Sequence, residues 1–173
     1  MDQFLACLPF ILKEEGGNDD DPHDPGGRTS RGITQREYDA YRRSKGEPTH
    51  DVWKATDDEV KEIYQLQYWE PWCTKMPHGV DLAYFDMAVN AGPHESTLLI
   101  QRAAGVIADG HIGLVTLDAL QSANPIRLIS AFSDNRRAYY RSLKGFKYYG
   151  KGWLARTGRI ETAALLMAAQ KVA

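Results

Sequence analysis

Apolar residues recur along most of the chain at spacings of three and four, the pattern of helices with one buried face. The first such stripe runs from Phe4 to Leu12, and the Gly16-Gly17 pair ends the helix that it predicts. Two capping boxes, Thr34–Glu37 and Thr56–Glu59, each offer a hydroxyl and a carboxylate to free backbone amides. These boxes open two predicted helices, over about 35–45 and 57–69.

The second half of the chain has the same helical pattern. Asp81 and Thr116 are predicted helix caps, and Gly92-Pro93 and Gly105 are predicted stops. Further helices are predicted over about 81–91, 95–104, 116–123, 126–143 and 154–170. The pattern therefore predicts a mainly α fold.

Residues 16–34 interrupt the helical pattern. This segment contains five glycines and two prolines in 19 residues, so we expect a long irregular loop with a short hairpin around 28–34. Long loops inside compact helical domains are uncommon and are often functional.

Composition narrows the class of protein. The chain has 173 residues, of which 43% are hydrophobic and 25% charged, and this excludes disordered and fibrous proteins. Cys7 and Cys73 are too few for a disulfide scaffold and are predicted to be reduced core thiols. No apolar run is long enough to span a membrane, and Asp2 stands where a signal peptide would carry positive charge.

The charges are unevenly distributed, although the formal net charge is only −2. Residues 1–124 contain 11 Lys or Arg and 21 Asp or Glu, a balance of −10, whereas residues 125–173 contain 10 and 2, a balance of +8. The basic C-terminal part predicts a polyanionic partner, for which cell wall, nucleic acid and anionic membrane all qualify. A solvated helix surface is the alternative.

Two carboxylates flank the Gly-rich loop. Glu15 ends the first predicted helix, where the helix dipole favours a protonated carboxyl group, and Asp24 follows in a loop that can fold back. One proton-donating carboxyl group and one ionised carboxylate are the pair that cleaves glycosidic bonds. Thr29 and Thr34 offer hydroxyls that can position a water or a sugar hydroxyl. By spacing alone, a surface glutamate before a glycine cap is the alternative interpretation.

The loop also carries the first block of a resemblance to glycoside hydrolase family 108, namely EGG at 15–17 and DPGGRTSRGIT at 24–34. Two more blocks follow in the family's order: Tyr64 with Tyr68-Trp69, and FDMAVNAG at 85–92. Beyond them, three segments resemble the predicted peptidoglycan-binding domain usually attached to this family: QRAAGV at 101–106, DGHIG at 109–113 and the stretch from Arg137 to Arg156. The resemblance covers nearly the whole chain.

This resemblance implies a lysozyme-like helical domain with a Gly-rich active-site loop over residues 1–93. It also implies a small helical peptidoglycan-binding part over 94–173, packed on the first. The implied activity is that of an N-acetylmuramidase, which cleaves the MurNAc-β-1,4-GlcNAc bond of peptidoglycan. The resemblance assigns Glu15 as the catalytic acid, and Asp24 and Thr29 as the pair that positions water.

Three further residues are candidates for substrate binding: Thr34, Trp69 and Asn90. Trp69 can stack on a sugar ring, with core packing as its alternative. Asn90 can bond an acetamido group, with capping of its helix before Gly92 as the alternative.

No metal or cofactor is expected. The acidic run around Asp19–Asp24 lacks the central glycine and final glutamate of an EF-hand, and His94-Glu95 does not continue into HExxH. Neither a nucleophile motif nor a nucleic-acid motif is present, so nucleic acid is not expected as a partner. The resemblance implies bacterial peptidoglycan as the partner.

We expect a monomeric endolysin, made in the bacterial cytoplasm without a signal peptide and released to the cell wall through a holin. The alternatives are a host muramidase that assists secretion, a lytic transglycosylase, and a non-catalytic wall-binding protein.

Overall fold

The structure is a computed structural model that describes residues 2–19 and 28–170. Helices dominate these residues, as predicted, and strands are few and short. The strands are β1 (Asn18–Asp19), β2 (Thr29–Ser30) and β3 (Ile33–Thr34). The α-helices are α1 (Gln3–Glu15), α2 (Gln35–Ser44), α3 (Asp57–Tyr64), α4 (Val80–Ala91), α5 (Pro93–Ala104), α6 (Leu114–Ser122), α7 (Pro125–Ser142) and α8 (Phe146–Gln170).

The chain forms two compact units, Met1–Gln67 and Tyr68–Ala173. A π-helical turn, Gln65–Trp69, follows α3 and contains the point of division. The predicted boundary between 93 and 94 falls after Pro93, the first residue of α5, and both α4 and α5 belong to the second unit. Among the described helices, none is both long and apolar enough to cross a membrane.

Local sequence signals explain the helices of the first unit. The Asp2 side chain accepts a hydrogen bond from the Phe4 amide (3.0 Å) and begins α1, whose buried face consists of Phe4, Cys7, Leu8 and Ile11. Both predicted capping boxes are present at the starts of α2 and α3. The predictions of these three helices are therefore confirmed.

A hydrogen-bonded cluster joins α2 to α3. The Tyr38 hydroxyl donates to the carboxylate of Glu59 (3.0 Å), and Arg42 forms an ion pair with the same carboxylate (2.5 Å). Burial raises the pKa of Glu59, but the hydrogen bonds from Thr56, Tyr38 and Arg42 outweigh it and hold that pKa below its ordinary value. The cluster fixes α3, which supplies a residue of the site described below.

The second unit is built around α4. Nine consecutive residues of this helix, from Val80 to Ala88, are buried, and α5, α7 and α8 all pack against it. The completely buried Asp86 carboxylate contacts two guanidinium groups, those of Arg136 (2.6 Å) and Arg156 (2.7 Å). The Arg136 contact is an ion pair without hydrogen-bond geometry.

Two predicted caps are wrong in position. Helix α4 begins at Val80, so Asp81 lies inside its first turn, where its buried carboxylate accepts from the amides of Gly79 and Leu82 (both 2.7 Å). Burial raises the pKa of Asp81. Likewise α6 begins at Leu114, and Thr116 is buried inside it. Neighbouring backbone amides therefore use the Asp81 carboxylate from inside the helix, whereas the Thr116 hydroxyl accepts a tertiary hydrogen bond from Gln101 (3.1 Å).

Candidate active site

Glu15 is the last residue of α1 and is followed by Gly16, whose positive φ of 74° turns the chain out of the helix. Its side chain is half-buried. A methyl group added to Gly32 would lie 2.8 Å from Oε2 of Glu15 and 2.7 Å from the hydroxyl oxygen of Tyr64. The carboxylate of Glu15 and the Tyr64 hydroxyl therefore both lie directly against the Gly32 backbone.

Gly32 belongs to the turn of the short hairpin that the sequence predicted. Strands β1, β2 and β3 form an antiparallel sheet in that order, with Thr29 opposite Thr34 across the turn. Arg31 and Gly32 both have positive φ, 50° and 78°, as a two-residue type I′ turn requires. A glycine is needed at the second position because the Glu15 and Tyr64 side chains leave no room for a Cβ.

The turn is held from the side of α3. The Tyr64 hydroxyl donates to the Arg31 carbonyl (2.7 Å), and the Arg31 guanidinium donates to the Ala55 carbonyl (2.5 Å) and to Asp57 (2.6 Å). Tyr64, 1% exposed, is a rigid support for this contact. The hairpin turn thus packs against the end of α1, and the Tyr64 hydroxyl and the Glu15 carboxylate lie at this contact.

Thr29 lies in β2 with its backbone fixed. Its carbonyl accepts a hydrogen bond from the indole N–H of Trp53 (3.0 Å), and the Arg28 guanidinium lies 4.3 Å from the centre of the Trp53 ring. Asp51 forms an ion pair with Arg28 (2.6 Å), and its pKa is lowered by the Trp53 amide and by this cation. Within the described residues the Thr29 hydroxyl makes no hydrogen bond, so it is available to a water or a substrate.

The other predicted site residues are distributed differently. Thr34 caps α2, and its hydroxyl donates to Glu37 (2.7 Å), so the structure shows a capping role for it. Asp24 lies outside the described residues. Trp69 and Asn90 belong to the second unit.

Trp69 is buried, 4% exposed, and its ring packs edge-to-face on Phe85. This placement corresponds to the core-packing alternative and leaves almost no ring surface for a sugar. The Asn90 carbonyl oxygen accepts a hydrogen bond from the Tyr140 hydroxyl, so it does not cap α4. Its role in substrate binding stays a prediction.

Sequence reasoning did not find Gly32 or Tyr64 as parts of the site. Tyr64 and Gly32 were visible only as motif residues, and the hairpin only as a segment around 28–34. Their contact with Glu15 brings together residues that are 17 and 49 positions apart in the sequence, and spacing between neighbouring residues cannot predict such a contact.

Three arginines of the basic C-terminal part are engaged in ion pairs within the described residues. Arg136 and Arg156 contact the buried Asp86, and Arg137 bridges Asp134 and Glu161. The exposed cations concentrate in the segment 141–151, which we call the basic segment and which has no acidic residue: Arg141, Lys144, Lys147 and Lys151. Tyr148 and Tyr149 in the same segment are 73% and 64% exposed. Fewer cations are therefore available to a polyanion than the sequence count suggested, and most of them lie in the basic segment.

In the parts of the chain that the structure describes, no group of three or more His, Cys, Asp or Glu side chains is arranged to hold a metal ion.

Comparison with known proteins agrees with this architecture. The glycosyl hydrolase 108 model matches residues 8–92, and the model named Predicted Peptidoglycan domain matches residues 95–157. Among solved structures, that of Brucella abortus SagA is 34% identical, with a TM-score of 0.83, and the match covers 95% of this chain and 95% of that chain. No curated protein matches the chain. The mainly α, lysozyme-like fold implied by the sequence is confirmed.

Proposed function

Because the chain belongs to the glycosyl hydrolase 108 family, we propose that it is an N-acetylmuramidase that cleaves the MurNAc-β-1,4-GlcNAc bond. Family membership makes it a glycoside hydrolase, and the peptidoglycan domain makes peptidoglycan its partner. The bond, the catalytic residues and the mechanism are our proposal. Its role as an endolysin, including passage through a holin, stays a prediction.

The observation that carries the proposal is the contact of the Glu15 carboxylate with the Gly32 turn beside the Tyr64 hydroxyl. A general acid must be held at one place relative to the leaving oxygen, and a half-buried carboxyl group between a helix end and a rigid turn meets that need. In the proposed mechanism, Glu15 protonates the glycosidic oxygen as the bond to the sugar carbon breaks.

Water attacks the same carbon in the second half of the proposed reaction. The Thr29 hydroxyl, which has no hydrogen bond within the described residues, supports a role in holding this water. Asp24, nine positions after Glu15, is proposed as the carboxylate that activates it. Together they favour inversion, because an inverting site needs room for a water between its two carboxyl groups.

The test uses purified sacculi and compares Glu15→Gln with Glu14→Gln. The first change keeps the shape of the side chain and removes only the transferable proton, so we expect hydrolysis to fall by about 10²–10⁴-fold. The second lies about 100° round the same helix and serves as the matched control, for which we expect little loss.

Mass spectrometry of the released muropeptides identifies the reaction. Reducing muramic ends support the proposed muramidase, whereas anhydro ends identify a transglycosylase and the absence of fragments identifies a non-catalytic wall-binding protein. Near-unchanged activity of a folded Glu15→Gln variant, checked by circular dichroism, would exclude Glu15 as the acid.

A further inference from the structure

A cavity of about 530 Å³ lies within the second unit, and none of its lining residues has a role in the proposed hydrolysis. Its volume is in the range of small-molecule binding sites, roughly 300–1,000 Å³. The residues that matter for its chemistry come from the segment between the π-helical turn and α4, from the first two turns of α5 and from the loop after α5: Trp72, His94, Thr97, Gly110 and His111.

The loop that forms one wall of this cavity is fixed by a buried side chain. Gln101 is 1% exposed, and its amide nitrogen donates to Asp109 Oδ1 (2.8 Å), the His111 carbonyl (2.9 Å) and Thr116 Oγ1 (3.1 Å). Its carbonyl oxygen accepts from the Gly110 amide (2.9 Å). Since the amide is used in full by these contacts, the loop is held in one conformation before any ligand arrives.

Gly110 brings the two histidines to the same wall. Its φ is +79°, and an added methyl group would lie 2.3 Å from Cε1 of His94. The His94 ring therefore rests on the Gly110 backbone, next to His111 in the sequence. Both imidazole-bearing residues are exposed in the cavity.

Three polar groups of the cavity have no hydrogen-bond partner within the described residues: the indole N–H of Trp72 and the imidazole nitrogens of His94 and His111. The Thr97 hydroxyl, by contrast, is already bonded to the Pro93 carbonyl (2.9 Å). No Lys, Arg, Asp or Glu is among the lining residues that the structure describes. A ligand of this cavity is thus recognised by hydrogen bonds and an aromatic surface, and not by charge.

We propose that this cavity is a subsite for an N-acetylhexosamine unit of a glycan strand. An indole ring packs against the apolar C–H face of a sugar, and its N–H donates to a hydroxyl. Imidazoles donate and accept, which suits the hydroxyl and acetamido groups of an uncharged sugar. The choice of an N-acetylated sugar rests on the proposed function, whereas the position of the site rests on the cavity itself.

The first experiment locates binding by nuclear magnetic resonance of the histidine rings. The full chain carries Glu15→Gln, so that the probe, the β-1,4-linked tetramer of N-acetylglucosamine, is not consumed. We expect the ring signals of His94 and His111 to shift together and to saturate with one dissociation constant. The signal of His78, which contacts Asp81 (3.4 Å) and does not line the cavity, should stay in place.

The second experiment measures sedimentation with purified sacculi. His94→Ala combined with His111→Ala removes two hydrogen-bonding rings, and we expect the affinity to fall by at least about tenfold. Arg102→Ala, an exposed change on the same helix outside the cavity, is the matched control and should bind as the unaltered chain does. With Glu15 intact, both variants should hydrolyse short soluble oligosaccharides at the unaltered rate.

Three outcomes would overturn the proposal: no shift of the two histidine signals at millimolar tetramer, unchanged sedimentation of the double variant, or a response to the peptide stem alone. A separate measurement, the release of muropeptides from sacculi by the unaltered chain, tests the proposed function. If the unaltered chain releases no muropeptides from sacculi, the muramidase assignment falls, while the histidine signals still report whether the cavity binds the sugar.

Discussion

Replacing Gly32 with alanine tests the central contact of the candidate active site. The new methyl group would lie 2.8 Å from Oε2 and 2.9 Å from Cγ of Glu15, and 2.7 Å from the Tyr64 hydroxyl. All three atoms belong to side chains, so the substitution pushes on the proposed acid and its neighbour and not on the backbone of the fold.

Two effects contribute to the expected magnitude. The φ of +78° costs an L-residue about 1–2 kcal/mol of stability, since only glycine adopts it freely. The two contacts with Glu15 are relieved when its side chain moves away from the turn, whereas the contact with the buried Tyr64 hydroxyl adds to the loss of stability. A displacement of about 1 Å in a catalytic group costs roughly 10²-fold in rate, or about 2.7 kcal/mol of transition-state stabilisation.

Gly46 provides the matched control. Its φ of +73° carries the same backbone cost, but a methyl group added there has nothing within 4 Å. We therefore expect Gly46→Ala to lose about 1–2 kcal/mol of unfolding free energy and to keep its activity. Gly32→Ala should lose more free energy than this, because its methyl group also lies 2.7 Å from the hydroxyl oxygen of the buried Tyr64, and in addition about 10²-fold in hydrolysis of peptidoglycan.

Urea denaturation gives the free energy of unfolding of both variants, and release of muropeptides from sacculi gives their rates under conditions where each is folded. If folded Gly32→Ala hydrolyses sacculi as fast as Gly46→Ala, the reasoning is refuted. Either the Glu15 carboxylate does not need its place against the turn, or it is not the catalytic acid.

Two more predictions concern the second unit. Asp86→Asn leaves the buried Arg136 and Arg156 without a countercharge, so we expect it to lower the free energy of unfolding by about 3–5 kcal/mol in chemical denaturation. Asp134→Asn, at an exposed ion pair, should lower it by under about 1 kcal/mol. Equal losses in the two variants would contradict a buried ion-pair triad. Changing the three lysines of the basic segment to glutamine should weaken sedimentation with sacculi at low salt and remove most of its salt dependence, whereas Arg137→Gln should not, because Arg137 is already paired with Glu161. Sedimentation that is indifferent to both salt and the lysines would mean that the segment serves solubility only.

The helices that the sequence predicted well are those with a local cause. Thr34–Glu37 and Thr56–Glu59 satisfy backbone amides within one turn, so neighbouring residues are sufficient to specify α2 and α3. The short hairpin around 28–34 was predicted from the glycines of its segment, but the position of its turn at Arg31-Gly32 was not, because Arg31 is a residue type that seldom adopts a positive φ.

The start of α8 shows where such reasoning fails. The pattern predicts a helix from about 154, but α8 begins at Phe146 and includes Gly150, where an added methyl group would lie 2.5 Å from the Phe146 ring. Glycine normally weakens a helix, yet here it makes room for an aromatic ring of the preceding turn. Gly145, Gly150 and Gly152 weaken the local helical signal of this segment, so tertiary packing and not propensity extends the helix to Phe146.

Charge counting fails for a related reason. The sum over 125–173 assigns equal weight to every cation, but Arg136 and Arg156 neutralise a carboxylate 50 and 70 positions earlier in the chain. Such pairs are formed by tertiary packing, and a count along the sequence cannot separate them from the exposed basic segment. The same limit applies to Glu15, whose motif identified it as an acid without identifying the turn that holds it.

Helix α4 lies in the part of the chain that matches the hydrolase family model, but in the structure it belongs to the second compact unit. The glycosyl hydrolase 108 model ends at residue 92, and so includes α4, while the peptidoglycan domain model begins at 95. In the structure α4 packs against α5, α7 and α8, and its Asp86 pairs with arginines of α7 and α8. The second unit therefore takes its central helix from the sequence of the hydrolase family. Since that helix supplies both the core and the buried countercharge, the peptidoglycan-binding sequence depends on the hydrolase sequence for its own packing.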